Sequence, residues 1–134
     1  MARILILDGY SNGREQLVGE LAKEGNMVTT TGRPELIQET IESFAPDLVI
    51  MDLFLKGEVR WDSLTAIKRL IPEVPVLVYS SYFFRNDARS SLADGWIIKS
   101  YLFDELKRKI NGILRRNNAP GGGGEKRPSV AHSL

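Results

Sequence analysis

Short apolar runs alternate with longer stretches in which apolar residues recur every three or four positions. Residues 48–51, Leu-Val-Ile-Met, are apolar throughout and lie between Asp47 and Asp52. A run this short, continuous and rich in branched side chains predicts a strand buried on both faces, as in the interior of a parallel sheet. Residues 3–8 read the same way, as do residues 74–79, which are entered through Pro72 and Pro75. Residues 96–99 give a fifth strand. Residues 27–31 are β-branched but less apolar, and predict a strand nearer an edge.

Between these runs the period lengthens to that of an amphipathic helix. Leu17, Val18, Leu21 and Ala22 mark one face, with Asn12 and Glu15 in capping-box spacing before it and Gly25 as its stop. Leu36, Ile37, Ile41 and Phe44 mark the next, started by Pro34 and closed by Pro46. A loop over 53–61 then leads to Asp62 or Ser63 as the cap of a third helix, with Leu64, Ile67, Leu70 and Ile71 inward. Residues 82–94 give the weakest helix, with Ala88, Leu92 and Ala93 to bury and Gly95 at its end. The last helix runs from about Phe103 to Arg116, with Leu106, Ile110, Ile113 and Leu114 inward. Five alternations of strand and helix predict a parallel α/β sheet covered on both faces by right-handed crossovers. Periodicity gives that class but not the order of the strands.

Composition narrows the chemistry. The 134 residues favour one domain with a sizeable core, and 43% hydrophobic with 26% charged residues is ordinary for a globular chain. A formal net charge of +1 gives no reason to invoke nucleic acid or an anionic membrane. The absence of cysteine excludes disulfides and thiolate chemistry, and the single histidine, His132, excludes a histidine-rich metal site within one chain. The first apolar run, residues 4–7, is too short for a signal peptide or a membrane span, so a cytoplasmic location is expected. Lys107, Arg108, Lys109, Arg115 and Arg116 read as the solvated, dipole-favoured end of a helix. Residues 117–134, with four consecutive glycines and two prolines, read as a flexible tail behind a domain over 1–116.

Four polar residues end four different strands: Asp8, Asp52, Ser80 and Lys99. In an open parallel sheet the carboxyl ends of the strands form the ligand-binding edge. Singly, each has a plain reading as a loop cap, an ion pair or turn chemistry. Together, in this order and spacing, they resemble the response-regulator receiver domain of two-component signalling, a resemblance that covers roughly residues 2–116. It implies a flavodoxin-like (βα)5 three-layer sandwich with a five-stranded parallel sheet of order 2-1-3-4-5.

The resemblance also implies roles. Asp52 matches the acid that takes a phosphoryl group from a phosphohistidine of a sensor kinase or phosphotransfer protein. Asp8, Asp52 and the backbone carbonyl of Phe54 would hold Mg²⁺. Lys99 would pair first with the carboxylate and then with the phosphoryl group. Ser80 would donate a hydroxyl hydrogen bond to that group, with Trp96 as the aromatic partner of the switch. Output would pass to a downstream protein through the fourth helix, fifth strand and fifth helix, including Trp96 and Tyr101. The chain would then be a stand-alone signalling domain, a monomer or weak dimer. It would have no direct contact with nucleic acid or membrane, and no catalysis beyond its own phosphorylation and dephosphorylation.

Three departures from the family pattern bear on these expectations. The family usually has two adjacent acids after the first strand, where this chain has Asp8-Gly9; Mg²⁺ should therefore bind more weakly. After Asp52, a loop carrying Lys56, Gly57, Glu58 and Arg60 replaces the usual proline and glycine. Ser100 stands where a proline usually follows the lysine, which favours a trans peptide there. These departures motivate an alternative, a pseudo-receiver that binds partners without regulated phosphorylation. A flavodoxin-type electron carrier is the third reading, but it would need phosphate-cradling donors where Asp8 stands.

Overall fold

The computed structural model describes residues 1–9, 11–81, 87–99 and 103–117, apart from the side chains of Ser11 and Asn12. The elements are β1 (Arg3–Leu7), α1 (Ser11–Ala22), β2 (Met27–Thr31), a 3-10 turn (Pro34–Leu36) running into α2 (Ile37–Phe44), β3 (Leu48–Met51), β4 (Phe54–Leu55) and β5 (Glu58–Val59). They continue with α3 (Trp61–Leu70), β6 (Val76–Ser80), a 3-10 helix (Ala88–Leu92), β7 (Gly95–Ile98) and α4 (Asp104–Asn117). The main sheet has five strands in the order β2-β1-β3-β6-β7, all paired in parallel. Counted within that sheet the order is 2-1-3-4-5, the flavodoxin-like order.

Continuous apolarity in β1, β3 and β6 is explained by helices on both faces. Leu5, Leu7, Val49, Met51, Val76 and Val78 point to one side, where Ile37 and Ile41 of α2 and Leu64 and Ile67 of α3 meet them. Ile4, Ile6, Leu48, Ile50, Leu77 and Tyr79 point to the other, against Leu17 and Leu21 of α1 and Leu106, Ile110 and Ile113 of α4. Alternate residues of each strand thus belong to separate cores. Among the described residues no helix is long and apolar enough to cross a membrane.

Several local expectations need correction. Ala22 and Ala88 are exposed rather than inward. Helix α3 starts at Trp61, capped through the Arg60 backbone and without a side-chain cap bond; Asp62 and Ser63 lie inside its first turn. The chain enters α3 directly from a strand, which leaves no separate capping turn. Trp61 is buried in the core. The fourth crossover is described only over Ala88–Leu92, as a 3-10 helix with no buried residue, its Asp87 cap accepting from the Arg89 amide. Gly95 opens β7 instead of ending a helix. A Cβ there would lie 3.0 Å from both Leu77 Cδ1 and Lys109 Cε, so the position is tight and a larger residue would make those side chains give way. Asn12 as a cap, residues 82–86, Ser100, Tyr101, His132 and residues 118–134 lie outside what is described.

The stretch expected as a loop after Asp52 contains a hairpin. Phe54 pairs with Val59 and Leu55 with Glu58, joined by Lys56 and Gly57 at φ +52° and +78°. Two successive positive φ values define a type I′ turn, in which a lysine is strained and Asn-Gly is preferred. Lys56→Asn is expected to stabilise the protein by about 0.5–1 kcal/mol, the usual scale of a left-handed penalty relieved. Urea denaturation of the two proteins side by side checks it. An unchanged midpoint would mean that Lys56 is not strained.

Candidate functional site

Parallel strands deliver their carboxyl ends to one edge, and the sheet order sets Asp8, Asp52, Ser80 and Lys99 on four adjoining strand ends. Backbone pairing continues past the strands to fix them. Asp8 donates its amide to Thr31 (3.2 Å), Asp52 to Leu7 (2.9 Å) and Lys99 to Ser80 (2.9 Å). All four side chains come together. Lys99 Nζ lies 2.8 Å from Asp8 Oδ2 and 2.9 Å from Asp52 Oδ2. The Ser80 hydroxyl donates to Asp52 Oδ1 at 3.0 Å, and the Phe54 amide donates to the same oxygen at 2.9 Å.

Asp8, Asp52 and Ser80 are 3%, 4% and 1% exposed, so their charges and dipoles act at short range with little screening. Burial works against the Lys99 ammonium, but the hydrogen bonds it donates to Asp8 and Asp52, together with their charges, outweigh it and hold its pKa above the usual lysine value. The cluster is a buried anion pair bridged by a cation. One carboxylate already accepts hydrogen bonds from an amide and a hydroxyl. Such an arrangement can exchange the ammonium for another cation and can stabilise an oxyanion group added at Asp52.

The hairpin explains how Phe54 enters the site. Arg60 donates its amide to Leu53 at 2.6 Å, so the Leu53–Arg60 pair is hydrogen-bonded and alternation makes Phe54–Val59 the pair that is not. The Phe54 backbone groups therefore face away from the ladder. Leu55, 1% exposed, anchors the hairpin, and a Cβ on Gly9 would sit 3.8 Å from both Leu55 Cδ2 and the Lys56 amide nitrogen. The rebuilt loop thus packs over the place where a second acid would stand.

Ser80 and Trp96 share a sheet face: Trp96 pairs with Val78, two residues before Ser80, and packs on the core that contains Val78. The Trp96 indole donates to the Ser90 carbonyl at 3.1 Å. Its ring lies 6.3 Å from that of Trp61, and the Arg89 guanidinium stacks 4.8 Å above Trp61. Arg89 is itself gripped by Asp87, whose carboxyl is held at about 2 by the Arg89 side chain and amide.

Two features of the site escaped the sequence reading. The hairpin has strands of two residues, too short for an alternating pattern; the Lys56-Gly57 pair was its only signal. Arg14 donates from Nη1 to the Asp8 carbonyl at 2.6 Å, and nothing in its spacing distinguishes it from a solvated helix residue.

No family profile matches the chain. It is 24% identical over 119 residues to the two-component response regulator PhoP of Pseudomonas aeruginosa, a match covering 87% of this chain and 53% of PhoP. The chain spans about half the length of the curated relatives it matches. Among solved structures, the response regulator TrrA of Thermotoga maritima, crystallised with Mg²⁺ and BeF, superposes with a TM-score of 0.79 at 33% identity. That match covers 85% of this chain and all of TrrA. TrrA in complex with the histidine kinase ThkA gives 0.78 at the same identity, over 85% of this chain and 99% of that one. With a third of the aligned residues identical across the full length of TrrA, and a closely superposing fold, the chain belongs to the response-regulator receiver family of two-component signalling.

Proposed function

We propose that this chain is a phosphoacceptor receiver in which Asp52 is the acceptor, with residues 1–116 as the signalling unit followed by the segment 117–134. The observation that carries the reading is the buried cluster itself. Two acids, each 4% exposed or less, converge on one lysine, with a hydroxyl on the proposed acceptor.

The donors fit a hard divalent cation such as Mg²⁺. Asp8, Asp52 and the outward-facing Phe54 carbonyl would supply oxygen ligands only. Among the described residues no group of three or more acidic, histidine or cysteine side chains gathers, so water would complete the shell. When bound, the cation would neutralise phosphoryl oxygens. An Asp52 carboxylate oxygen would attack phosphorus as the P–N bond of a phosphohistidine breaks, its electron pair returning to the imidazole. Lys99 would turn from the carboxylates to the new phosphoryl oxygens. Ser80 would carry its hydroxyl hydrogen to one of them, and Trp96 would report that movement through its bond to Ser90. The donor would be a sensor histidine kinase or a phosphotransfer protein, as ThkA partners TrrA. Output would leave through the face made by Ala88–Leu92, β7 and α4, where Ile98 is 43% exposed.

The test is Mg²⁺-dependent beryllofluoride binding followed by tryptophan fluorescence. A saturable change is expected in the wild type and none in Asp52→Asn. Silence in both, confirmed by calorimetry, would favour the pseudo-receiver that Gly9 and the packed hairpin suggest.

A further inference from the structure

We propose that Arg14 is a positioning residue for Asp8, clamping the end of β1 so that its carboxylate stays aimed at the cation site; this rests on the reading of Asp8 as a cation ligand. Thr31 holds the Asp8 amide (3.2 Å), Lys99 its carboxylate (2.8 Å) and Arg14 Nη1 its carbonyl (2.6 Å). A divalent cation that displaces Lys99 removes the second of these. The backbone then matters more to where the carboxylate points, and the next residue is Gly9, which brings neither a side chain nor a second acid. Arg14 restrains this backbone through the Asp8 carbonyl.

Gly32 makes the clamp possible. A Cβ at that position would come 2.6 Å from Arg14 Nη1, 3.0 Å from the Asp8 carbonyl oxygen and 3.2 Å from Gly9 Cα. Gly32 lies outside the left-handed region, so space and not backbone conformation requires glycine here. The chain leaving β2 therefore leaves a slot, and the guanidinium fills it against Asp8.

Position and charge predict opposite signs, which makes the proposal decidable. Through space, a guanidinium repels a divalent cation, so removing its charge alone would tighten metal binding. Removing a restraint on a ligand loosens it, commonly by 10–100-fold for an outer partner of a metal ligand.

The experiment measures Mn²⁺ dissociation constants by electron paramagnetic resonance on the full chain, with far-ultraviolet circular dichroism to confirm folding. Arg14→Gln and Gly32→Ala are both expected to weaken Mn²⁺ by about 10-fold. Gly32→Ala keeps the charge and evicts the guanidinium, but its methyl also crowds the Asp8 carbonyl, so weakening there counts for the clamp only together with weakening in Arg14→Gln. Unchanged or tighter binding in Arg14→Gln would overturn the proposal, as would wild-type affinity in a folded Gly32→Ala. If Gly32→Ala does not fold, the sign in Arg14→Gln still decides. Asp8→Asn serves as the control on the premise. Wild-type Mn²⁺ affinity in that variant would overturn the cation reading and the proposal with it, and would be told apart by arising at Asp8 and not at Arg14.

Discussion

Lys99→Met is expected to cost about 3 kcal/mol of stability in metal-free buffer, the low end of the range for removing one partner from a buried ion cluster. The low end applies because the Lys99 side chain retains 21% exposure, so water already screens part of the interaction. Asp8 and Asp52 would be left as two buried anions without the lysine that bridges them. Mg²⁺ should restore most of the loss, because it replaces the missing positive charge at the same carboxylates. The lysine is held above the ordinary value of 10.5, so its contribution is complete below that pH and is lost only as pH rises through the raised value. The gap between the wild type and the variant should therefore be constant near neutrality and narrow in strong alkali. Urea denaturation at neutral and alkaline pH, with and without Mg²⁺, measures all of this. A variant as stable as the wild type without metal would show that the cluster is not held by its charges.

Leu53→Ala should destabilise by a similar amount for an unrelated reason, and Mg²⁺ should not rescue it. Leu53 follows the proposed acceptor directly, is fully buried, and sits in the core that also holds Trp61. Truncating a buried leucine costs about 3 kcal/mol through lost burial and the cavity left behind. For a domain of this size that is a fall in melting temperature of about 10 °C. A loss below about 1 kcal/mol would mean that the site collapses freely around the smaller side chain. Comparing the two variants with and without Mg²⁺ separates electrostatic from packing support of one strand end.

The residues differ in how much of this was legible. Leu48 to Met51 announced a parallel interior strand because burial on both faces forbids polar alternation, and the same held for β1 and β6. Helical stripes such as Ile37 and Ile41, or Leu106, Ile110 and Ile113, were equally plain, since one face meets the sheet and the other meets water. Ala22 and Ala88 misled because a methyl group is tolerated inside or outside, and its burial depends on neighbours distant in sequence. Gly95 looked like a helix stop but is a packing glycine, a distinction that needs the positions of Leu77 and Lys109.

The site divides along the same line. Each of Asp8, Asp52, Ser80 and Lys99 stood out alone as a polar residue closing an apolar run, a local property of the chain. That Lys99 bridges both acids, 91 residues from Asp8, is a matter of which strands adjoin, and periodicity carries no information about strand order. The hairpin over Asp52, the slot at Gly32 and the Arg14 clamp belong to the assembled molecule in full. They arise where the ends of β1, β2 and β3 come within van der Waals reach of one another, and contacts between separate strands leave no periodic trace in the chain.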